Sequence, residues 1–263
     1  MIEAAQLSFS PEGIPFSEAY GDVYHTRSGG IGQARHVFLG GNGLPQRWQG
    51  RCRFTIVETG FGLGINFLAT WAAWRADPQR CTQLHFISFE KHPFAVADLA
   101  TAYSALLDAP ASKPQPPMAD DKRAATRHCC ETGTADTALG ELALDLQSVW
   151  PPTVAGRHEL HFDQAQVRLS LVFADARDAL PQLTQQAELA DAFYLDGFSP
   201  AKNPELWNAS LLSQLARLAA PGATLATWSV ASGVRQALTD SGWQIEKLPG
   251  FSGKREMLRA HRP

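Results

Sequence analysis

Apolar and polar positions along the chain follow two spacings, short runs suited to strands and longer stretches with helical recurrence. Phe54-Thr-Ile-Val57 has the β-branched and aromatic content of a buried parallel strand, and Phe67, Leu68, Trp71 and Trp74 recur behind it at helical spacing. The same pairing follows at residues 84–89, a strand ending at Glu90, and at 93–107, a helix through Phe94, Ala97, Leu99 and Leu106. Residues 159–162 and 167–173 alternate as a hairpin about the turn Asp163-Gln-Ala-Gln166. The second strand of that hairpin leads through Asp175 into a helix over 179–189, where Pro181 sits near the start and is tolerated. A strand from Asp191 to Asp196 precedes a helix over 204–219, and Pro221-Gly222 turns into a strand over 223–228. A helix over 230–238 and two strands, 243–247 and 256–259, close the series.

Alternating β and α elements with a terminal β-β pair predict an α/β fold. The expected architecture is a doubly wound, mostly parallel, seven-stranded Rossmann-like sheet whose last strand runs antiparallel. Residues 1–50 form an N-terminal β extension, in which Gly21-Asp-Val-Tyr24-His25 and Ala34-Arg35-His-Val-Phe38-Leu39 read as short strands joined through Ser28-Gly29-Gly30-Ile31-Gly32. This appendage is a candidate wall of the site. Gly40-Gly41-Asn42-Gly43 is either a simple turn or a loop facing a ligand. Residues 51–263 form the core, interrupted at about 108–138 by a proline-rich and charged stretch with almost no large aliphatics. Such a segment buries too little apolar surface to offset its ordering entropy, and a mobile loop is expected. The whole of 1–263 reads as one domain.

With 263 residues and 44% hydrophobic content, the chain is long enough for a substantial core, and it has no internal repeat. No window approaches the roughly eighteen apolar residues of a membrane span, so a soluble, cytoplasmic protein is expected. Cys52, Cys81, Cys129 and Cys130 form no C-x-x-C pair and read as reduced thiols, with no metal site among them. A net charge of −3 argues against indiscriminate nucleic-acid binding, though not against a local basic patch. The C-terminal end supplies one, with Lys247, Lys254, Arg255, Arg259 and Arg262 against Glu246 and Glu256. Phosphate binding and an ordinary solvated strand surface are both open readings of it.

Chemistry enters at Glu58-Thr-Gly60-Phe-Gly62-Leu-Gly64-Ile65, between the first strand and its helix. Glycines there permit a tight turn and let a ligand reach the main chain beside a helix N-terminus. The spacing is E-x-G-x-G-x-G rather than the dinucleotide G-x-G-x-x-G, a form carried by S-adenosylmethionine sites, although glycines can also merely close a β-α turn. Glu90 ends the next strand, and a carboxylate there suits a ribose diol, with two acceptors for two hydroxyl donors. Asp175 and Asp196 repeat that placement at two later strand ends. In a doubly wound sheet, ligands bind outside the carboxyl ends of the strands, where all these residues are expected.

Several motifs give a sharper likeness: Val37-Phe-Leu-Gly-Gly-Asn42, Glu58 to Phe67, Ser88-Phe-Glu-Lys91, Asp196-Gly-Phe-Ser-Pro-Ala-Lys-Asn-Pro204 with Trp207, and Lys254-Arg-Glu-Met-Leu258. On these the chain resembles the methyltransferase domain of the MnmC/MnmD family, over nearly its full length except an apparent insertion between 108 and about 140. The resemblance implies transfer of a methyl group from S-adenosylmethionine to the exocyclic amine of 5-aminomethyl-(2-thio)uridine at the wobble position of tRNA. It also implies a partner, since many relatives fuse this domain to an FAD-dependent oxidase that prepares the amine. By the general methyltransferase arrangement, Glu58, Gly60, Gly62 and Gly64 form the cofactor turn, Glu90 holds the ribose and Asp175 accepts from the adenine amino group. Asp196 lies nearest the incoming amine, Lys254 and Arg255 meet tRNA phosphates, and Phe198 either packs on the uracil or belongs to the core. The alternatives are a dinucleotide-dependent oxidoreductase and a non-catalytic tRNA-binding module.

Overall fold

The computed structural model describes residues 2–25, 29–107, 132–185 and 189–263. Three short strands, β1 (Ser8–Phe9), β2 (Pro15–Ser17) and β3 (Asp22–Val23), form a small antiparallel sheet at the N-terminus. Helix α1 (Gly30–Gln33) runs on into a π-helical segment, Ala34–Gly40, and a 3-10 turn, Gln46–Trp48. Then come β4 (Arg53–Glu58), α2 (Ile65–Ala76), β5 (Gln83–Glu90), α3 (Val96–Leu107), α4 (Thr132–Ser148), β6 (Gly156–Phe162) and β7 (Val167–Phe173). The chain closes with α5 (Ala176–Gln185), β8 (Ala190–Tyr194), the 3-10 turn Pro204–Trp207, α6 (Ala209–Arg217), β9 (Ala219–Thr227), α7 (Ser232–Asp240), β10 (Gln244–Pro249) and β11 (Glu256–His261).

The main sheet has the order β10-β11-β9-β8-β4-β5-β7-β6. From β9 to β7 all neighbours are parallel, whereas β11 runs antiparallel to β9, β10 to β11 and β6 to β7. The sheet is thus the expected one with eight strands instead of seven, because the first strand of the 156–173 hairpin joins its rim. Strand alternation then sorts side chains between two cores. Phe54 and Ile56 of β4 pack with Phe67 and Trp71 of α2 on one face, and Val57 packs with Leu180 of α5 and Leu212 of α6 on the other. Both rims carry charge: Arg157 pairs with Glu159 on β6, and Glu246 and Lys247 of β10 pair with Arg259 and Glu256 of β11.

Three expectations need correction. Residues 34–39 are helical rather than extended, because Ala34, Val37 and Phe38 bury one face at helical spacing. The turn after them is structural: buried Asn42 donates to the Phe38 and Phe193 carbonyls and accepts from Thr224 Oγ1 at 2.6 Å. Helix α4 occupies the end of the expected loop and extends past it, since Leu139, Leu142, Ala143 and Leu146 give it a buried stripe. The helix expected over 204–219 is divided, with Asn208 capping α6 by accepting from the Leu211 N–H at 2.9 Å. Residues 108–131, including Cys129 and Cys130, and Ser28 lie outside the described residues. Cys52 and Cys81 are free thiols. No helix among the described residues is long and apolar enough to cross a membrane.

Candidate active site

Strands β4, β5, β7 and β8 end side by side, so their last residues face one cavity of about 490 Å³. Gly60, Gly62, Glu90, Asp175, Asp196 and Phe198 line it; Glu58, Gly64, Lys254 and Arg255 do not. The glycines serve different ends. A side chain at Gly60 would stand 3.1 Å from the Asp196 carbonyl oxygen, so its absence lets the loops after β4 and β8 approach each other. Gly64, at φ 70°, starts α2 beneath the Phe61 ring, which a Cβ there would meet at 2.6 Å. Gly62, at φ 54°, is the one whose main chain meets a candidate ligand-binding group: its N–H donates to Glu90 Oε2 at 2.7 Å.

Glu90 Oε1 accepts from the His92 N–H at 2.8 Å, so each carboxylate oxygen keeps one lone pair for another donor. Burial pushes the Glu90 carboxyl up to about 6, against the pull of the backbone donors. Asp175 is filled instead. Its Oδ1 accepts from the Arg177 N–H and Nε, both at 3.0 Å, and its Oδ2 from Arg177 Nη2 at 2.8 Å and Lys91 Nζ at 3.1 Å. The Arg177 side chain, followed by its backbone N–H and Lys91, holds Asp175 well below the usual carboxylate range despite partial burial. Both cations also reach Glu205, at 2.8 Å from Arg177 and 3.7 Å from Lys91.

Asp196 is held by neutral donors. Its Oδ1 accepts from the Gly197 N–H and Trp228 Nε1, each at 2.9 Å, and its Oδ2 from Asn66 Nδ2 at 2.7 Å. One acceptor position on Oδ2 remains. Burial raises the Asp196 carboxyl above its ordinary value, opposed by these donors and by the charge of Lys254. The second hydrogen of Asn66 Nδ2 goes to Glu58 Oε1 at 2.8 Å, while Ser88 Oγ donates to Glu58 Oε2 at 2.7 Å. Glu58 is fully buried, and its carboxyl is pushed well up by that burial. It supports the floor of the site from below and lies behind Asn66 rather than in the cavity.

Tyr20 and Tyr24 of the N-terminal extension make one wall, with Phe198 stacked on Tyr20 at 4.5 Å and edge-on to Tyr24 at 5.1 Å between centroids. Lys254 places its ammonium 3.9 Å from the centre of the Trp228 ring, and so behind Asp196 rather than in the cavity. The basic patch is thinner than its composition implied. Lys247 and Arg259 are ion-paired across the β10–β11 hairpin, and Arg262 donates to the Ser241 carbonyl, while Arg255 is exposed. Sequence reasoning gave no role to Asn66 or Trp228. The only signal was a polar residue in the apolar opening Ile65-Asn66-Phe67-Leu68 of α2. Among the described residues no group of three His, Cys, Asp or Glu is arranged to hold a metal ion.

A glycine-shaped β-α turn, a strand-end carboxylate against its main chain and an aspartate at the end of the fourth parallel strand define a Rossmann-like S-adenosylmethionine-dependent methyltransferase. Residues 137–263 match a family described as S-adenosyl-L-methionine-dependent methyltransferase. Within that class, the chain is similar over nearly its whole length to one part of the MnmC proteins. It is 54% identical to the tRNA 5-methylaminomethyl-2-thiouridine biosynthesis bifunctional protein MnmC of Azoarcus sp. (strain BH72), matching 100% of this chain and 37% of that protein. The same-named protein of Aromatoleum aromaticum is 52% identical, over 98% of this chain and 35% of the relative. The chain thus spans a little over a third of these relatives' length. The crystal structure of MnmC2 from Aquifex aeolicus shares the fold, with a TM-score of 0.68 and 22% identity over 99% of this chain and 72% of that one. These relatives do not favour a dinucleotide-dependent oxidoreductase.

Proposed function

We propose that this chain methylates the exocyclic amine of 5-aminomethyl-(2-thio)uridine at the wobble position of tRNA, giving the 5-methylaminomethyl product. The observation that carries the reading is Asp196. It opens the motif Asp196-Gly-Phe-Ser-Pro-Ala-Lys-Asn-Pro204, keeps one open acceptor position, and sits beside the glycine turn at 54% identity to a relative named for this modification.

The residues present fit S-adenosylmethionine. A cavity of about 490 Å³ lies within the roughly 300–1,000 Å³ common for small-molecule sites. The two spare lone pairs of Glu90 suit a pair of ribose hydroxyls, and Gly62 adds no side chain to obstruct them. When bound, the cofactor supplies a methyl group on a positively charged sulfur, which keeps the bonding pair as the amine nitrogen takes the methyl. An adenine contact at Asp175 requires Lys91 or Arg177 to give up one of its present bonds.

An alkyl amine with a lysine-like pKa near ~10 is mostly protonated at pH 7, and freeing its lone pair costs roughly 4 kcal/mol. Asp196 accepts one amine N–H at its open Oδ2 position, which orients the lone pair and gives the leaving proton a path to water. Asn66 and Trp228 hold the carboxylate in that pose. The reading places the enzyme with tRNA in the cytoplasm, and the amine is prepared by an FAD-dependent oxidase, fused or separate. The deciding experiment is nucleoside mass spectrometry of tRNA lacking the final methyl group, after incubation with this protein and S-adenosylmethionine. A gain of one methylene on the wobble nucleoside is expected, and an unchanged mass would overturn the reading.

A further inference from the structure

Gln33 ends α1 and lines the same cavity, yet the function above gives it no task. Its Oε1 is buried and accepts no hydrogen bond among the described residues. A buried acceptor without a partner destabilises a fold, and one on a cavity wall is satisfied when a ligand brings a donor.

Its position selects the donor. Helix α1 begins against Ile65 at the start of α2, and Gly32 packs on Phe251 in the loop between β10 and β11, which also carries Lys254 over Trp228. In the order of the sheet, that is the side of β8 and β9, where Asp196 and Trp228 stand. Glu90 and Asp175 follow β5 and β7 on the other side of β4. Gln33 therefore faces the half of the cavity that takes the substrate in the reading above, on which this inference rests.

We propose that Gln33 is a specificity-determining residue whose side-chain amide reads the imide edge of the target uracil, with Oε1 accepting from N3–H. An amide carries an acceptor beside a donor, and the uracil edge presents an N–H flanked by carbonyls, so the two are complementary. Cytosine places an acceptor at N3 and would leave Oε1 unpaired. A base drawn out of its stack is commonly read this way, on its pairing edge. Two other N–H donors could reach this half, the target's own exocyclic amine and the cofactor's ammonium.

The three donors separate in one experiment, since only the imide reading ties the loss at Gln33 to the N3-methyl block. Single-turnover methyl transfer is measured on anticodon stem-loops carrying 5-aminomethyluridine or its N3-methyl derivative, with wild type, Gln33→Leu and Gln33→Glu, and cofactor affinity is measured by calorimetry without RNA. Wild type should disfavour the N3-methyl substrate by about tenfold or more. Gln33→Leu should lose a similar factor on the unblocked substrate and discriminate less than about threefold, with cofactor affinity within about twofold. Gln33→Glu keeps an acceptor and should retain discrimination, which guards against a Gln33→Leu protein that fails to fold. Equal discrimination by wild type and Gln33→Leu overturns the inference. So does a loss of cofactor affinity with discrimination intact, which would assign Oε1 to the cofactor's ammonium. No transfer by wild type to the unblocked stem-loop sinks the methyl-transfer reading itself, and this inference with it.

Discussion

The ends of β7 and β8 carry aspartates in the same kind of place, yet Asp175 and Asp196 are opposite in character. Asp175 is filled by two cations and held below its ordinary range, whereas Asp196 is held by an amide, an indole and a backbone N–H and is raised by burial. Position at a strand end does not set an acid's role; the charge of its donors does. A carboxylate paired with two cations has its acceptor positions occupied, and one fixed by an amide, an indole and a backbone N–H keeps a lone pair open to an incoming group.

The largest break of this contrast should come from Asp196→Ala. Loss of the group proposed to orient the amine should lower single-turnover methyl transfer by about a hundredfold or more, with cofactor affinity changed less than about threefold. Asp196→Asn, which keeps an acceptor oxygen, should retain more activity than Asp196→Ala. Equal rates for Asp196→Asn and wild type across pH 6 to 9 would remove the residue from catalysis.

Glu90 stands between the two aspartates in character, and Glu90→Ala should weaken S-adenosylmethionine binding roughly ten- to a hundredfold by calorimetry, since hydrogen bonds to a charged group are worth about 1.5–3 kcal/mol. Its carboxyl titrates at about 6 in the free protein, so affinity should be steady above pH 7 and fall as the pH drops through that value. In Glu90→Gln the fall should vanish. A wild-type affinity that is flat from pH 7.5 to 5 would contradict the assignment.

Asp175→Asn should be milder for ligand and more visible in stability. Because its cations are well exposed, the pairs are discounted to about 1 kcal/mol, or roughly 2–4 °C in Tm. The folded carboxyl lies below its unfolded value, so its contribution is complete above pH ~4 and is lost as pH falls from there through the folded value. The Tm gap between wild type and Asp175→Asn should therefore be constant from pH 8 to 5 and narrow only below. A cofactor-affinity loss as large as that of Glu90→Ala would show that Asp175 does release a cation to meet the ligand.

The smallest effect is expected at the rim. Arg255→Glu should raise the KM for tRNA modestly and reduce the slope of log affinity against log salt by about one to two, with cofactor affinity untouched. An unchanged salt slope would move the RNA surface away from this hairpin.

The strand ends were legible because an apolar run that stops at an acid is a local signal, as at 84–90 and 191–196. What held each acid was not. Asn66 reaches Asp196 across 130 positions of sequence and Trp228 across 32, and only the sheet order brings them together. At 34–40 the run Val37-Phe38-Leu39 has the composition of a strand, and only the i, i+3, i+4 spacing from Ala34 marks it as helical. Helix α4 was hidden by a composition poor in large aliphatics just before it, although Leu139, Leu142, Ala143 and Leu146 carry the stripe. The glycines are plain in the sequence, but not their neighbours: at Gly60 and Gly64 protein atoms from Asp196 and Phe61 stand where a side chain would go.

The added strand β6 has a consequence for crowding rather than chemistry. Without it β7 would end the sheet as a bare parallel edge, an open row of main-chain donors and acceptors for any extended segment from another copy. With β6 at one rim and β10 at the other, a docking strand would have to strip water from Arg157 and Glu159, or from Glu246 and Lys247, before forming its first main-chain bond. The two charged hairpins thus act as selvedges, and strand-by-strand growth into a fibre is disfavoured at both rims.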